Sequence, residues 1–214
     1  MLYNDNYIKG DNYATQSKNN KRKSICFVTG VPGAGKTFTS MNIAASMALK
    51  GAKVLLVDLD LRKATLSKAL DKEHTGIAAY LNGKSADYHA HVDRVSDNLF
   101  VLPVGTLPPN PTELLLTGRF GEMMASLRQE YDYIFIDCPP IDVVADAAII
   151  TKHTDMTVFV VRSGLLDKRS LPRIKALYES AKYSRMALIV NGIDVEGRRS
   201  GYGYGYGYGY GNNE

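Results

Sequence analysis

The sequence predicts an α/β fold in three layers, a mainly parallel sheet flanked by helices on both faces. Short apolar runs of four or five residues, too uniform to alternate inward and outward, recur along the chain with helical segments between them. Several runs end at an Asp or a Gly-rich turn, the punctuation expected where parallel strands bring their C-terminal ends to one edge. Composition agrees: 45% hydrophobic and 22% charged residues over a length of 214 fit one large core, and exclude wholesale disorder, a collagen-like chain and a disulfide-stapled miniprotein.

Residues 1–23 are rich in Asn, Asp, Tyr, Lys and Ser without an apolar period, and read as a flexible leader. The folded domain is expected over 24–196. Ile25-Cys26-Phe27-Val28 is its first strand, followed by a Gly-rich turn and a helix from Lys36 to Lys50 that Gly51 stops. Val54 to Val57 is a second strand ending at Asp58, Leu99 to Pro103 a third, and Tyr133 to Ile136 a fourth ending at Asp137. Thr157 to Val161 and Ala187 to Val190 bring the expected total to six. Between them one long helix is expected over Thr112 to Tyr131 and another over Leu171 to Lys182, with Pro172 suited to a first turn. Residues 197–214 read as a disordered tail, because the strict Gly-Tyr alternation of 201–211 makes ordering costly at every second position.

Charge and cysteines narrow the function classes. The net charge of +4 lies in the two ends: residues 25–196 carry 19 cations and 19 anions. A neutral core beside a short basic run, Lys18 to Lys23, is a solvated leader, so no nucleic-acid partner is expected. No stretch approaches the roughly 18 apolar residues of a membrane span, and the N-terminus is polar from Tyr3 onward, so neither a span nor a signal peptide is expected. Cys26 and Cys138 sit in apolar runs and read as buried, reduced thiols, Cys138 as core and not as a nucleophile. His74, His89, His91 and His153 show no metal-ligand spacing and read as surface residues.

The segment Gly30-Val31-Pro32-Gly33-Ala34-Gly35-Lys36-Thr37 fits the phosphate-loop pattern, directly after a strand and opening a helix. Its glycines let backbone N–H groups turn inward around a phosphate, and the helix N-terminus adds partial positive charge. Lys36 reaches the β- and γ-phosphates and Thr37 offers a hydroxyl to Mg²⁺. The expected fold is therefore that of the P-loop NTPases. Gly33, Ala34, Gly35, Lys36, Thr37 and Thr39 are the expected nucleotide-binding residues, and Asp58, Asp60 and Asp137 stand on the same sheet edge.

Asp137, ending an apolar strand, resembles a Walker B aspartate. Asp58-Leu59-Asp60-Leu61-Arg62 resembles the Walker A′ motif of the bacterial tyrosine kinases, which combine phosphate loop, Walker A′, Walker B and a C-terminal tyrosine cluster. All four occur here in the family's order, from about Ser24 to the C-terminus, and Pro108-Pro109-Asn110-Pro111-Thr112-Glu113-Leu114-Leu115 looks like a further family loop. Ala64 stands where the family commonly has Pro, a difference expected to act on loop stiffness. Residues 1–23 hold one arginine and no glutamate, so the family's Glu-x-x-Arg-x-x-Arg ring-packing helix is not in this sequence. The chain therefore reads as a truncated catalytic domain, largely monomeric.

The resemblance implies an ATP-dependent tyrosine autokinase with Mg²⁺ as cofactor. A phenol of pKa near 10 needs a carboxylate to take its proton, and the Walker A′ position makes Asp58 that base. Asp60, Asp137 and Thr37 are assigned to magnesium, Lys36 and Asp60 join Asp58 as catalytic residues, and Tyr202, Tyr204, Tyr206, Tyr208 and Tyr210 are the acceptors. Arg62 reads equally as a phosphate or subunit contact and as an exposed salt bridge. Asn191 resembles the base-reading Asn of related ATPases, and Gly192, where guanine readers carry Lys, favours ATP. Implied partners are other copies of the chain, whose tails enter neighbouring sites, and a membrane co-polymerase or activator of polysaccharide export. The expected location is the cytoplasmic face of the cell membrane. A partition or division-site ATPase is the competing class, but it carries Lys where this chain has Val31. An adaptor whose tail is only a substrate is the other.

Overall fold

A computed structural model describes residues 23–72, 75–141, 145–180, 182–183 and 185–193. The expected leader up to Arg22, residues 194–196 at the end of the expected domain, and the expected tail over 197–214 with the five tyrosines read as acceptors lie outside the described residues, as does His74.

Seven strands form one sheet: β1 (Lys23–Val28), β2 (Val54–Asp58), β3 (Asp93–Ser96), β4 (Leu99–Leu102), β5 (Tyr133–Asp137), β6 (Met156–Arg162) and β7 (Met186–Asn191). Their order is β3-β4-β2-β5-β1-β6-β7. All neighbours are parallel except β3 and β4. The helices are α1 (Lys36–Leu49), α2 (Thr65–Ala69), α3 (Ile77–Leu81), α4 (Pro111–Leu115), α5 (Gly118–Glu130), α6 (Asp146–Ile150) and α7 (Leu171–Glu179).

The sheet is sandwiched as the apolar runs require. On one face α1 lays Ala44 and Ala48 against Phe27, Leu56, Phe135 and Val160, the small side chains letting helix and sheet approach closely. On the other, Phe120, Met123, Met124 and Leu127 of α5 pack with Cys26, Leu55, Val57, Ile134 and Ile136. All five residues of β2 are buried. Cys26 and Cys138 are buried free thiols, in keeping with the sequence, and burial pushes the Cys138 thiol up.

Two expectations need correction. β3 is a seventh strand, missed because Asp93-Arg94-Val95-Ser96 is an exposed edge without an apolar run. The single helix over Thr112 to Tyr131 is two, α4 and α5, parted at Leu116-Thr117. Thr117 is extended there (φ −69°, ψ 149°) and its hydroxyl donates to the Leu114 carbonyl at 2.7 Å, so a side chain takes an acceptor that helical continuation would need. α7 ends at Glu179, three residues before Lys182, and β1 already includes Lys23.

Three of the site's segments follow from this topology. β1 ends in the phosphate loop, and β5 and then β2, which follow it on one side in the sheet order, end in Asp137 and Asp58. Those two aspartates are register partners. β6 and β7, on the far side of β1, end in Arg162 and Asn191, also register partners.

Candidate active site

Between Val28 and α1 the chain wraps around a hollow of about 280 Å³ lined by Thr29, Pro32 to Phe38, Asp60, Lys63, Thr65 and Pro140. Gly33 (φ +80°) and Gly35 (φ +90°) take the left-handed backbone that glycine alone adopts freely. Gly35 is also the N-cap of α1 and no side chain caps that helix, so its leading N–H groups are left for a ligand. A Cβ on Gly35 would lie 2.0 Å from the Asn191 Nδ2, so the position is closed to side chains by space as well as by φ.

Behind this loop lies a buried charge cluster. Lys36 Nζ pairs with Asp137 Oδ1 at 2.5 Å, and the Thr37 hydroxyl donates to Asp137 Oδ2 at 2.7 Å. Asp137 is fully buried; desolvation pushes its carboxyl up, and the Lys36 ammonium and the Thr37 hydroxyl pull it back. Asp58, also fully buried, has its proton affinity raised from 3.8 to about 7, first by burial and then by the neighbouring Asp137 charge. Three donors hold its charged form. Ser67 N and Oγ reach Oδ2 at 2.8 and 2.7 Å, and Asp60 N reaches Oδ1 at 3.1 Å. The Ser67 hydroxyl in turn accepts from Val104 N at 2.9 Å, tying the start of α2 to the end of β4.

The carboxylates differ in access. Asp60 lines the hollow, its Oδ1 accepting from Lys63 N at 3.1 Å, whereas Asp58 and Asp137 stand behind the lining. Thr39 spends its hydroxyl on the Gly35 carbonyl at 2.8 Å, within α1. Asn191 donates from Nδ2 to the Ala34 carbonyl at 3.0 Å and accepts Gly192 N at Oδ1, so it touches the outer side of the loop. Arg62 does not reach the phosphate loop, and its exposed side chain forms a salt bridge instead. Its Nε donates to Asp146 Oδ2 at 3.0 Å and its Nη2 to the Thr112 hydroxyl at 3.1 Å, pinning the Walker A′ loop to α4 and α6. Ala64 sits at φ 50°, a left-handed conformation closed to proline. His153 is also no plain surface residue, since it packs edge-on against Phe120 at 5.0 Å.

The donors present fit a magnesium nucleotide. Free helical N–H groups and the ammonium groups of Lys36 and Lys63, both on the hollow, suit phosphates. A hydroxyl and carboxylates suit a hard cation that keeps most of its shell from water and phosphate oxygens, and among the described residues no cluster of three or more His, Cys, Asp or Glu forms a closed metal site. Ser67, Arg162 and Asp146 were not legible in advance, because each acts through a contact across more than 35 residues or through a neighbour's hydroxyl and carries no local motif.

A parallel sheet whose first strand opens into such a loop, with acidic strand ends beside it, defines a phosphate-loop nucleotide-binding enzyme. A family model described as an AAA domain matches residues 22–182. The tyrosine-protein kinase CpsD of Streptococcus pneumoniae is 38% identical over 189 residues, 87% of this chain and 83% of that protein. The tyrosine-protein kinase YwqD of Bacillus subtilis strain 168 is 36% identical over 177 residues, 82% of this chain and 75% of that protein. Among solved structures, the kinase domain of Escherichia coli tyrosine kinase ETK is similar with a TM-score of 0.78 at 28% identity, over 92% of this chain and 76% of that one. The chain belongs to the AAA-domain family and, within it, to the bacterial tyrosine-protein kinases.

Proposed function

We propose that the chain is an autokinase that transfers the γ-phosphoryl of MgATP to the tyrosines of its own C-terminal cluster, with each tail entering a neighbouring copy's site. The observation that carries this is a buried carboxylate, Asp58, whose proton affinity near 7 suits a group that must take a phenol proton at neutral pH. In this reading the loop N–H groups of Gly33 to Thr37 hold the phosphates, and Lys36 leaves Asp137 for the β- and γ-phosphate oxygens. Thr37, Asp60 and Asp137 hold Mg²⁺, which when bound supplies positive charge to the transferred group. Asp58 accepts the acceptor tyrosine's proton at Oδ1, the oxygen with a single donor. The phenol oxygen forms the new bond to phosphorus as the bond to the β,γ-bridging oxygen breaks, and ADP leaves.

Five tyrosines phosphorylated would bring about −8 to −10 charges to the tail, enough to oppose association between copies. That fits a switch controlling capsular or extracellular polysaccharide synthesis and export, worked at the cytoplasmic membrane face with a membrane co-polymerase or activator, fused or separate.

The test is to incubate a Lys36→Met chain with an active chain lacking residues 201–214 and map phosphotyrosine. Phosphate on Tyr202 to Tyr210 of the inactive chain, at a rate rising with protein concentration, is the expected result. MgATP hydrolysis with no phosphotyrosine would instead return the chain to the partition-type ATPase class.

A further inference from the structure

Arg162 and Asn191 end β6 and β7 side by side, and both reach across to the same loop. Arg162 Nη1 donates to the Gly33 carbonyl at 3.3 Å and Asn191 Nδ2 to the Ala34 carbonyl at 3.0 Å. Two register partners thus hold two consecutive carbonyls. Neither side chain lines the hollow, so both act from behind the loop.

The consequence is fixed by peptide geometry. Every peptide described here is trans, so each C=O points opposite to the N–H of the same peptide plane. Pulling the Gly33 carbonyl outward turns the Ala34 N–H inward, and pulling the Ala34 carbonyl outward does the same for the Gly35 N–H. A Gly-flanked loop is otherwise free to flip these planes, since Gly33 and Gly35 are permissive at both signs of φ. Each holding side chain rests on a positive-φ glycine: Asn191 on Gly35, and Arg162 on Gly192 (φ +66°), where an added Cβ would come within 3.2 Å of Arg162 Cγ and Nε.

We infer that Arg162 is a positioning residue for nucleotide binding, which together with Asn191 clamps the phosphate loop so that its N–H groups face the phosphates. This rests on the reading of the hollow as the nucleotide site. It makes a demand that a base contact does not: the clamp acts on the anion cradle, so it serves any ligand with a diphosphate group, with or without a nucleoside.

Calorimetric titration of Arg162→Ala with MgADP, MgATP and magnesium pyrophosphate tests it. All three dissociation constants are expected to rise by the same factor, roughly three- to tenfold, the effect of one lost hydrogen bond. Arg162→Lys, which keeps one donor, should recover part of the loss. Gly192→Ala should weaken binding in the same direction and add little to Arg162→Ala, because both release the same clamp. In the phosphorylation assay the change should fall on KM for MgATP more than on kcat. Weaker nucleotide binding with unchanged pyrophosphate binding would mean that Arg162 touches the nucleoside, and the inference would be wrong. Unmoved constants for all three would also overturn it, provided the parent binds them. A parent that bound none would remove the nucleotide-site reading itself, and the inference with it. Should Arg162→Ala fail to fold, Arg162→Lys carries the same comparison of three ligands.

Discussion

β2 and β7 are both parallel strands of aliphatic residues that end in a polar side chain beside the phosphate loop, yet they serve it in opposite ways. β2 lies inside the sheet with every residue buried, and its terminal Asp58 has no contact with solvent. β7 is an edge strand with Leu188 and Val190 about half exposed, and its terminal Asn191 is only partly covered. A carboxylate in the first setting has lost its water and acquires a proton affinity near neutrality. An amide in the second carries no charge to desolvate and can use both ends at once, on Ala34 and Gly192. The central strand is suited to moving protons and the edge strand to holding backbone in place.

Substitution at Lys36 should break the central side most severely. Lys36→Met removes the cation that offsets Asp137 and the ammonium that the phosphate loop itself carries, and a loss of about 10²–10³ or more in phosphotransfer rate is expected. Asn191→Ala, on the edge side, should cost less than about tenfold, the range of one hydrogen bond. Initial rates of tyrosine phosphorylation measured side by side decide the point, and equal losses would abolish the division. Of the same order as Lys36→Met is Asp58→Asn, at about 10²–10⁴ if the residue is the base. In the parent, Asp58 is protonated and unable to accept a proton below about pH 7. So kcat/KM should fall tenfold per pH unit on the acid side of 7 and level off above it. The residual rate of Asp58→Asn should lack that limb.

The contrast between the strands was half legible in the sequence. Val54 to Val57 and Ala187 to Val190 are equally apolar runs, so both read as interior strands, and only the sheet order shows that β7 has a neighbour on one side. The phosphate loop, Asp58, Asp60 and Asp137 announced themselves through glycine spacing and through acidic residues at strand ends, signals that lie within nine residues of each other or at a strand boundary. Ser67 on Asp58 and Arg162 on Gly33 announced nothing, since a serine in a short helix and an arginine after a strand have ordinary solvated meanings until the fold brings them across. β3 was hidden for the same reason, a polar edge paired through its backbone alone.

Stability offers an independent handle on the same pair of strands. Leu56→Ala on β2 empties a fully enclosed site beneath α1 and should cost about 2–5 kcal/mol, whereas Leu188→Ala on β7 removes a half-exposed side chain and should cost less than about 1 kcal/mol. Urea unfolding midpoints with unchanged slopes report the difference. A cost at Leu188 as large as at Leu56 would show that β7 is covered in solution and that its edge character is not a property of the working protein.

The smallest change singles out the proton affinity of Asp58 itself. Ser67→Ala keeps the backbone N–H on Asp58 Oδ2 but removes the hydroxyl at 2.7 Å, one of the contacts that hold the acid's pKa down, and leaves the buried Val104 N–H without its acceptor. The orphaned N–H costs about 1–3 kcal/mol at any pH. The lost hydroxyl acts only on the charged carboxylate, so the sign depends on pH. Because Asp58 binds its proton more tightly in the folded chain than at a carboxyl's ordinary value of 3.8, its contribution to stability is fully present below 3.8 and is lost as pH rises through about 7. Ser67→Ala raises the folded affinity further. Its destabilisation should therefore be modest at pH 5 and grow as pH passes 7, and the acid limb of kcat/KM should move to higher pH by part of a unit. If unfolding shows the pH-independent loss while the rate profile stays where it was, the group titrating in catalysis is not Asp58. Proton chemistry would then lie elsewhere in the cluster, with Asp60, the carboxylate that faces the hollow, next in line.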